Sequence, residues 1–214
     1  MEKATGSSPV APTIKMIDKN LLRRLYFVKK LSMWGIAKEL SITPAKVVYW
    51  MKKHDLSRRS SNESAYVKLN PNGDPFHIND KLTLKNKELL LLSLMLYWAE
   101  GSRKNKHTIQ LANLDYRMLK MFIKFLKIIC NVREDKLCLT IQLYRHFNRE
   151  KVKNYWSRTL GVPGRLIAVN IHSDARSKPN EQWSKNGIAR IEVRNVKLKR
   201  WLDSMLEAYL KKWA

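Results

Sequence analysis

The sequence predicts an α+β protein made of an N-terminal all-helical module and a larger C-terminal domain. In that domain helices cover one face of a four-stranded, largely antiparallel sheet. Three observations predict it. Through residues 15–56, apolar residues recur at helical spacing between capping residues. From residue 82 to 214, segments of helical period alternate with segments of period two. Between these, residues 57–81 are rich in Ser, Asn, Pro and Arg, carry Asn-Pro-Asn-Gly-Asp-Pro at 70–75, and read as a linker. Residues 1–14 read as a flexible tail.

In chain order, Leu21, Leu22, Leu25 and Val28 mark an opening helix. Ser32 N-caps a second helix, whose inner stripe is Ile36, Ala37 and Leu40. Ala37 is small enough to let the next helix cross closely. Ser41, Ile42 and Thr43 make the turn, with Ile42 directed inward. Thr43 caps a third helix and Pro44 takes its first position, where the missing N–H does no harm. Val47, Val48 and Trp50 or Met51 pack inward, which leaves Lys46, Tyr49, Lys52 and Lys53 outside. This is the form of a helix-turn-helix, whose second helix lies in the DNA major groove. Thr43, Lys46, Tyr49, Lys52 and Lys53 are therefore candidate DNA contacts. The alternative is an ordinary helical hairpin with a basic surface; the spacing, the cap and the charge favour DNA. Arg58 and Arg59, in the linker, are either phosphate contacts or a solvated pair of charges.

The charge balance agrees. The 214 residues hold 42 Lys and Arg against 18 Asp and Glu, a net charge of +24. Such a chain repels itself, and a polyanionic partner best explains it. Phosphate contacts release counterions, so binding is expected to weaken steeply with salt. A membrane is not the expected polyanion: the longest apolar run, Leu89–Trp98, is far short of a spanning helix. The polar N-terminus lacks the apolar region of a secretory signal. Cys130 and Cys138 show no metal spacing and read as core thiols of a reduced protein. Together these point to a cytoplasmic, nucleoid-associated protein without a small-molecule cofactor. The five histidines show no ligand spacing, and no Gly-rich phosphate loop is present.

In the C-terminal domain, Lys85–Glu100 reads as a helix, apolar along Leu89, Leu90, Leu92, Leu94, Met95, Leu96 and Trp98. Thr108–Leu114 alternates, with Ile109 and Leu111 on one face. Asp115 caps a helix to Cys130 whose inner stripe is Met118, Met121 or Phe122, Phe125 and Ile128 or Ile129. Lys136–Arg145 alternates most clearly, with Leu137, Leu139, Ile141 and Leu143 inward. A helix over 147–160 packs Val152, Tyr155, Trp156 and Leu160. Leu166–His172 and Ile188–Arg194 are two more strands. A last helix over 196–213 turns Leu198, Trp201, Leu202, Met205, Tyr209 and Trp213 inward. The other strand face carries Thr108, Gln110, Thr140, Gln142, Tyr144, Asn170, His172, Arg190 and Arg194. Gln and Asn suit adenine, Arg suits guanine, and Thr and Tyr reach phosphates or base edges. That face is either a nucleic-acid platform or a solvated surface of the usual antiparallel kind.

The helix ending in Glu100 adds a second signal. A carboxylate there faces the negative end of the helix dipole, a penalty that a bound divalent cation would reverse. The bland alternative is a surface glutamate beside a glycine helix stop. With Ala99-Glu100-Gly101 at the end of an apolar helix, and Leu-Ala-Asn-Leu-Asp at 111–115, the chain resembles the LAGLIDADG homing endonucleases over roughly residues 85–213. It is also similar to bacterial and phage proteins that join a helix-turn-helix to a Tyr-Trp-Ala-Glu-Gly helix. The resemblance implies two such helices packed across a symmetry axis, their carboxylates holding Mg²⁺ or Mn²⁺ over the minor groove, and two sheets saddling the flanking major grooves. It implies Glu100 as metal ligand and catalytic group, and Ala99 and Gly101 as the motif helix end, with Gly101 giving close approach and the helix stop. With one motif, the chain is expected to act as a homodimer on a near-palindromic duplex. Two differences stand out: Leu94 and Met95 precede the acid by a turn where the family has small residues, and Gly101–Leu114 holds one strand and at most a stub where the family has two. Arg103, Lys104, Lys178 and Lys185 are the candidate assisting cations. The expectation is a metal-dependent homing-type endonuclease; the alternative is a transcription regulator whose nuclease-like domain has lost cleavage.

Overall fold

The computed structural model describes residues 16–144, 147–172 and 185–213. The expected tail, Lys178, and the side chains of Tyr144 and His172 lie outside the described residues. Among them the protein is a mixed α+β structure with eight α-helices and one four-stranded sheet. It divides into two compact units, residues 1–73 and 74–214. No helix among the described residues is long and apolar enough to cross a membrane.

In the first unit, α1 (Lys19–Arg23) runs into a π-helical turn, Arg24–Val28. After it come α2 (Met33–Glu39), α3 (Pro44–Lys53) and α4 (Ser61–Leu69). The caps read from the sequence form. The Ser32 hydroxyl accepts from Gly35 N–H at 3.0 Å, and that of Thr43 from Lys46 N–H at 3.3 Å. Ser41 turns the chain at φ 53°, and Ile42 N–H donates to the Ala37 carbonyl at 2.9 Å. The core comprises Leu22, Leu25, Tyr26, Ile36, Ala37, Val47, Trp50 and Met51, with Ile17 at its edge.

Two expected core residues lie outside it. Val28 is exposed because the π-turn, closed by Lys29 N–H to the Arg24 carbonyl at 2.8 Å, adds a residue to the turn. The added residue rotates the helix phase and brings Tyr26 inward. Val48 is displaced because Val47, Trp50 and Met51 already fill the inner arc at i, i+3 and i+4.

The expected linker is not one piece. Ser60 and Glu63 open α4, with the Ser60 hydroxyl accepting from Glu63 N–H at 3.2 Å. The helix was hidden by its polarity: it buries no residue. Residues beyond 73 belong to the second unit. His77 and Asn79 N–H groups donate to the carbonyls of Cys130 and Ile129 at 3.0 and 2.8 Å, and Phe76, Ile78 and Leu82 pack on that unit's core.

The second unit runs α5 (Leu84–Glu100), β1 (Thr108–Asn113), α6 (Tyr116–Ile128), β2 (Leu137–Tyr144), α7 (Arg149–Leu160), β3 (Ile167–His172), β4 (Ile188–Arg194) and α8 (Val196–Leu210). The sheet order is β1-β4-β2-β3. The β1–β4 and β4–β2 pairs are antiparallel, while β2 and β3 are parallel, joined through α7. Ile109, Leu111, Leu137, Leu139, Ile141, Leu143, Ala189, Ile191 and Val193 turn into one core with Tyr97, Phe122, Phe125, Trp156, Leu198 and Leu202 from the helices. Between α5 and α6 lies β1 alone, with a single antiparallel bridge from Gly101 to Leu111 standing as the stub of a second strand.

The phase of α6 differs from expectation only at its start, at Met118, which is exposed while Leu119 is buried. Of the alternatives left open further along, Phe122 and Ile129 are the buried ones.

Candidate nucleic-acid interface

Helix α3 presents Ala45, Val48, Tyr49, Lys52 and Lys53 to solvent, with Lys46 half-buried. The Thr43 hydroxyl is engaged as the cap. Lys53 folds back, its Nζ 4.9 Å from the Trp50 ring centroid. Tyr49 packs edge-on against Trp50 at 5.4 Å and keeps half its surface open. Lys46, Tyr49 and Lys52 thus remain directed outward.

Arg58 and Arg59, paired in the sequence, part company in the structure. Arg58 is exposed. Arg59 is a strut: its Nη1 donates to the Lys30 carbonyl at 3.1 Å, its Nη2 to that of Leu31, and its guanidinium stacks 4.1 Å over the Tyr26 ring. Its backbone N–H donates to the Tyr26 hydroxyl at 2.9 Å. Lys30, at φ 55°, turns the chain out of the helix and leaves two carbonyls that the guanidinium fork satisfies. The phosphate reading of Arg59 is therefore corrected by its geometry.

The sheet register gathers the expected polar residues on one face. Gln110, Glu192 and Cys138 form one row across β1, β4 and β2. The next row is Ala112, Arg190, Thr140 and Ala168, and beyond it stand Ile188, Gln142 and Asn170. Gln142 and Asn170 are exposed; Thr140 and Arg190 are half-buried; Thr108 is buried at the edge. Glu192, only 8 % exposed, accepts from Gln110 Nε2 at 3.0 Å and from Arg194 Nε. The carboxylate holds Arg194 more firmly protonated than a free guanidinium. Two of the expected base readers, Gln110 and Arg194, are thus oriented by an acid outside the expected set. Its signal was an acid at i±2 between two arginines on one strand face.

Cys138 corrects a further expectation. It alternates with Leu137 and Leu139 and is exposed on this open face, whereas Cys130 is buried and its thiol pushed far above its usual range by that burial.

At the end of α5, Glu100 is exposed. Gly101 caps the helix in extended conformation (φ −77°, ψ 147°), its N–H donating to the Tyr97 carbonyl at 2.9 Å. The glycine is required for space rather than for a left-handed turn: a Cβ there would lie 2.3 Å from the Tyr97 ring and 2.4 Å from the Tyr97 carbonyl oxygen. Tyr97 is fully buried, and its hydroxyl donates to the Ser102 carbonyl at 3.1 Å.

Behind it lies Lys199 of α8, 1 % exposed, with Nζ on both Asp203 oxygens at 2.5 and 2.6 Å and 5.4 Å from the Tyr97 ring centroid. Burial lowers the Lys199 pKa, but Asp203 and the Tyr97 hydroxyl outweigh it and hold the ammonium above its ordinary value. Burial raises the Tyr97 pKa against the opposing pull of Lys199. Nothing in the expected inner stripe of α8 anticipated this lysine; the i, i+4 spacing of Lys199 and Asp203 was the available sign.

Arg103, Lys104 and Lys185 are exposed. Among the described residues no three His, Cys, Asp or Glu side chains converge to hold a metal ion. A hard divalent cation takes six or more oxygen donors, of which one carboxylate supplies one or two.

The outer side of α5 carries Lys85, Lys87 and Glu88 near its start and exposed apolar side chains along the rest. Leu84, Leu91, Leu92 and Trp98 are exposed at 76, 43, 55 and 45 %. No family model, curated protein or solved structure matches the chain.

Proposed function

We propose that this protein is a sequence-specific duplex-DNA-binding protein that works as a homodimer joined through α5, with Glu100 as the metal-ligating and catalytic group of a phosphodiester-cleaving site. The observation that carries the reading is the exposed apolar stripe on α5. A contiguous apolar stripe on a helix is ordinarily covered by a partner surface. Here one side is buried against α6 and the sheet and the other is open, and the stripe runs to the exposed Glu100. A second copy on that stripe would bring two Glu100 carboxylates toward one axis, and the same axis would align two open sheet faces. Ala99 and Gly101 form the helix end beside the acid. The helix-turn-helix of α2 and α3 would add sequence contacts through Lys46, Tyr49 and Lys52, with Thr43 as its cap. Net charge of +24 supplies the attraction to phosphate. Mg²⁺ or Mn²⁺ would supply Lewis-acid stabilisation of the scissile phosphate, with Glu100 of each copy as the protein donor.

A second reading, a transcription regulator without cleavage, draws on a different observation. The side chains on the open stripe are bulky, Leu91, Leu92 and Trp98, and bulky contacts set helix axes toward the wider end of the ~8–10 Å packing range. Wider spacing separates the two carboxylates.

The test is cleavage of a plasmid library in Mg²⁺ or Mn²⁺ by the wild type and by Glu100→Gln. Cleavage lost in the variant with DNA binding retained is the expected result. Equal cutting by both removes Glu100 from the chemistry. A specific footprint without any cleavage by the wild type favours the regulator.

A further inference from the structure

The outward side of α3 carries more information than its lysines. Ala45, Val48, Tyr49 and Lys52 stand at i, i+3, i+4 and i+7 and form one stripe, opposite the buried Val47, Trp50 and Met51. Val48 is 36 % exposed and lies between Ala45 and Lys52, so the N-terminal half of the stripe is apolar. No residue of α3, Pro-Ala-Lys-Val-Val-Tyr-Trp-Met-Lys-Lys, is Asn, Gln, Arg, Asp or Glu. The side chains that grip adenine or guanine in bidentate fashion, or accept from cytosine N4, are therefore absent apart from the point-charge lysines. The major groove shows only one apolar feature, the C5-methyl of thymine. In helix-turn-helix docking, base edges are met by the first residues of the second helix, and these include Ala45 and Val48.

We propose that Val48, with Ala45 beside it, reads thymine C5-methyl groups, so that the target of this helix is specified by thymines rather than by guanine or adenine hydrogen-bonding patterns. Tyr49 and Lys52 flank the apolar pair and supply single hydrogen bonds to base edges or phosphates. This inference rests on the DNA-binding reading of α2 and α3 given above.

The experiment starts from duplexes that the full-length wild-type chain selects from a random pool. Each thymine of the preferred duplex is replaced in turn by deoxyuridine, which removes the methyl and keeps the base pair. Affinities are measured by fluorescence anisotropy at one fixed salt concentration. At one or two thymines the wild type is expected to lose about three- to five-fold in affinity, the scale of burying one methyl group. Val48→Ala keeps a good helix former at a partly open position. It is expected to bind thymine and deoxyuridine alike at the base that Val48 meets. Val48→Asn is expected to move selection at that pair toward adenine. Deoxyuridine without effect at every thymine overturns the proposal while DNA binding stands, and so does an undiminished penalty in Val48→Ala. Failure to bind or select any duplex overturns the underlying reading and the proposal together.

Discussion

Gly101 lies against the ring of Tyr97, so close that a single added carbon would meet it at 2.3 Å. The contact couples the last buried residue of α5 to the first residue beyond it and sets the exit of the chain next to Glu100. Gly101→Ala is expected to destabilise the protein by about 1–3 kcal/mol, the usual range for forcing an atom into a filled space. In a Tyr97→Leu background the penalty should shrink without vanishing, since the clash with the residue-97 carbonyl remains. Urea unfolding of the four chains of this cycle checks it; equal penalties in both backgrounds would show that the ring is not the obstacle.

The buried group behind that tip makes stability depend on alkaline pH. Lys199 is held above its unfolded pKa, so its contribution is complete below that value, near ~10.4, and is lost as pH rises through the folded value. Tyr97, also raised, acts in the same direction, because folding favours the neutral phenol. The urea midpoint of the wild type should fall from about pH 9.5 upward. In the double variant Tyr97→Phe, Lys199→Met the fall should be shallower, whatever its neutral stability. Parallel curves would assign the alkaline loss to other groups.

Arg58 and Arg59 should behave as different kinds of residue. Arg59→Ala leaves two carbonyls and the Tyr26 face without their partner. It is expected to cost about 2 kcal/mol of stability. Arg58→Ala should leave the melting temperature unchanged and reduce the slope of log affinity against log salt by about 0.9, one phosphate's worth. A stable Arg59→Ala with a reduced salt slope would reverse the assignment.

These two arginines also show how far the sequence could be read. Caps and periodicity located α1, α2 and α3, since Ser32 and Thr43 act within three residues of themselves, but not the polar α4. Strand alternation likewise sorted the sheet faces. What escaped depended on long-range or fine geometry. Arg59 meets Lys30 and Leu31 only after the chain turns back, and the π-turn at 24–28 shifts Val28 by a phase that no periodicity count registers. The parallel β2–β3 pair depends on α7 crossing over, and alternation does not distinguish parallel from antiparallel neighbours. At the candidate site, Glu100 and Gly101 were visible as a helix end. The reason for the glycine is the ring of Tyr97 one turn earlier, a matter of fine geometry, and Lys199 meets that ring only through the packing of α8 on α5.

The central claim is that this chain grips duplex DNA, and gel retardation of a random-sequence duplex pool by the purified full-length protein tests it most directly. At low ionic strength the account predicts retarded complexes whose affinity falls steeply and linearly with log salt, followed by enrichment of particular sequences on repeated selection. No retardation of any duplex under those conditions would contradict it.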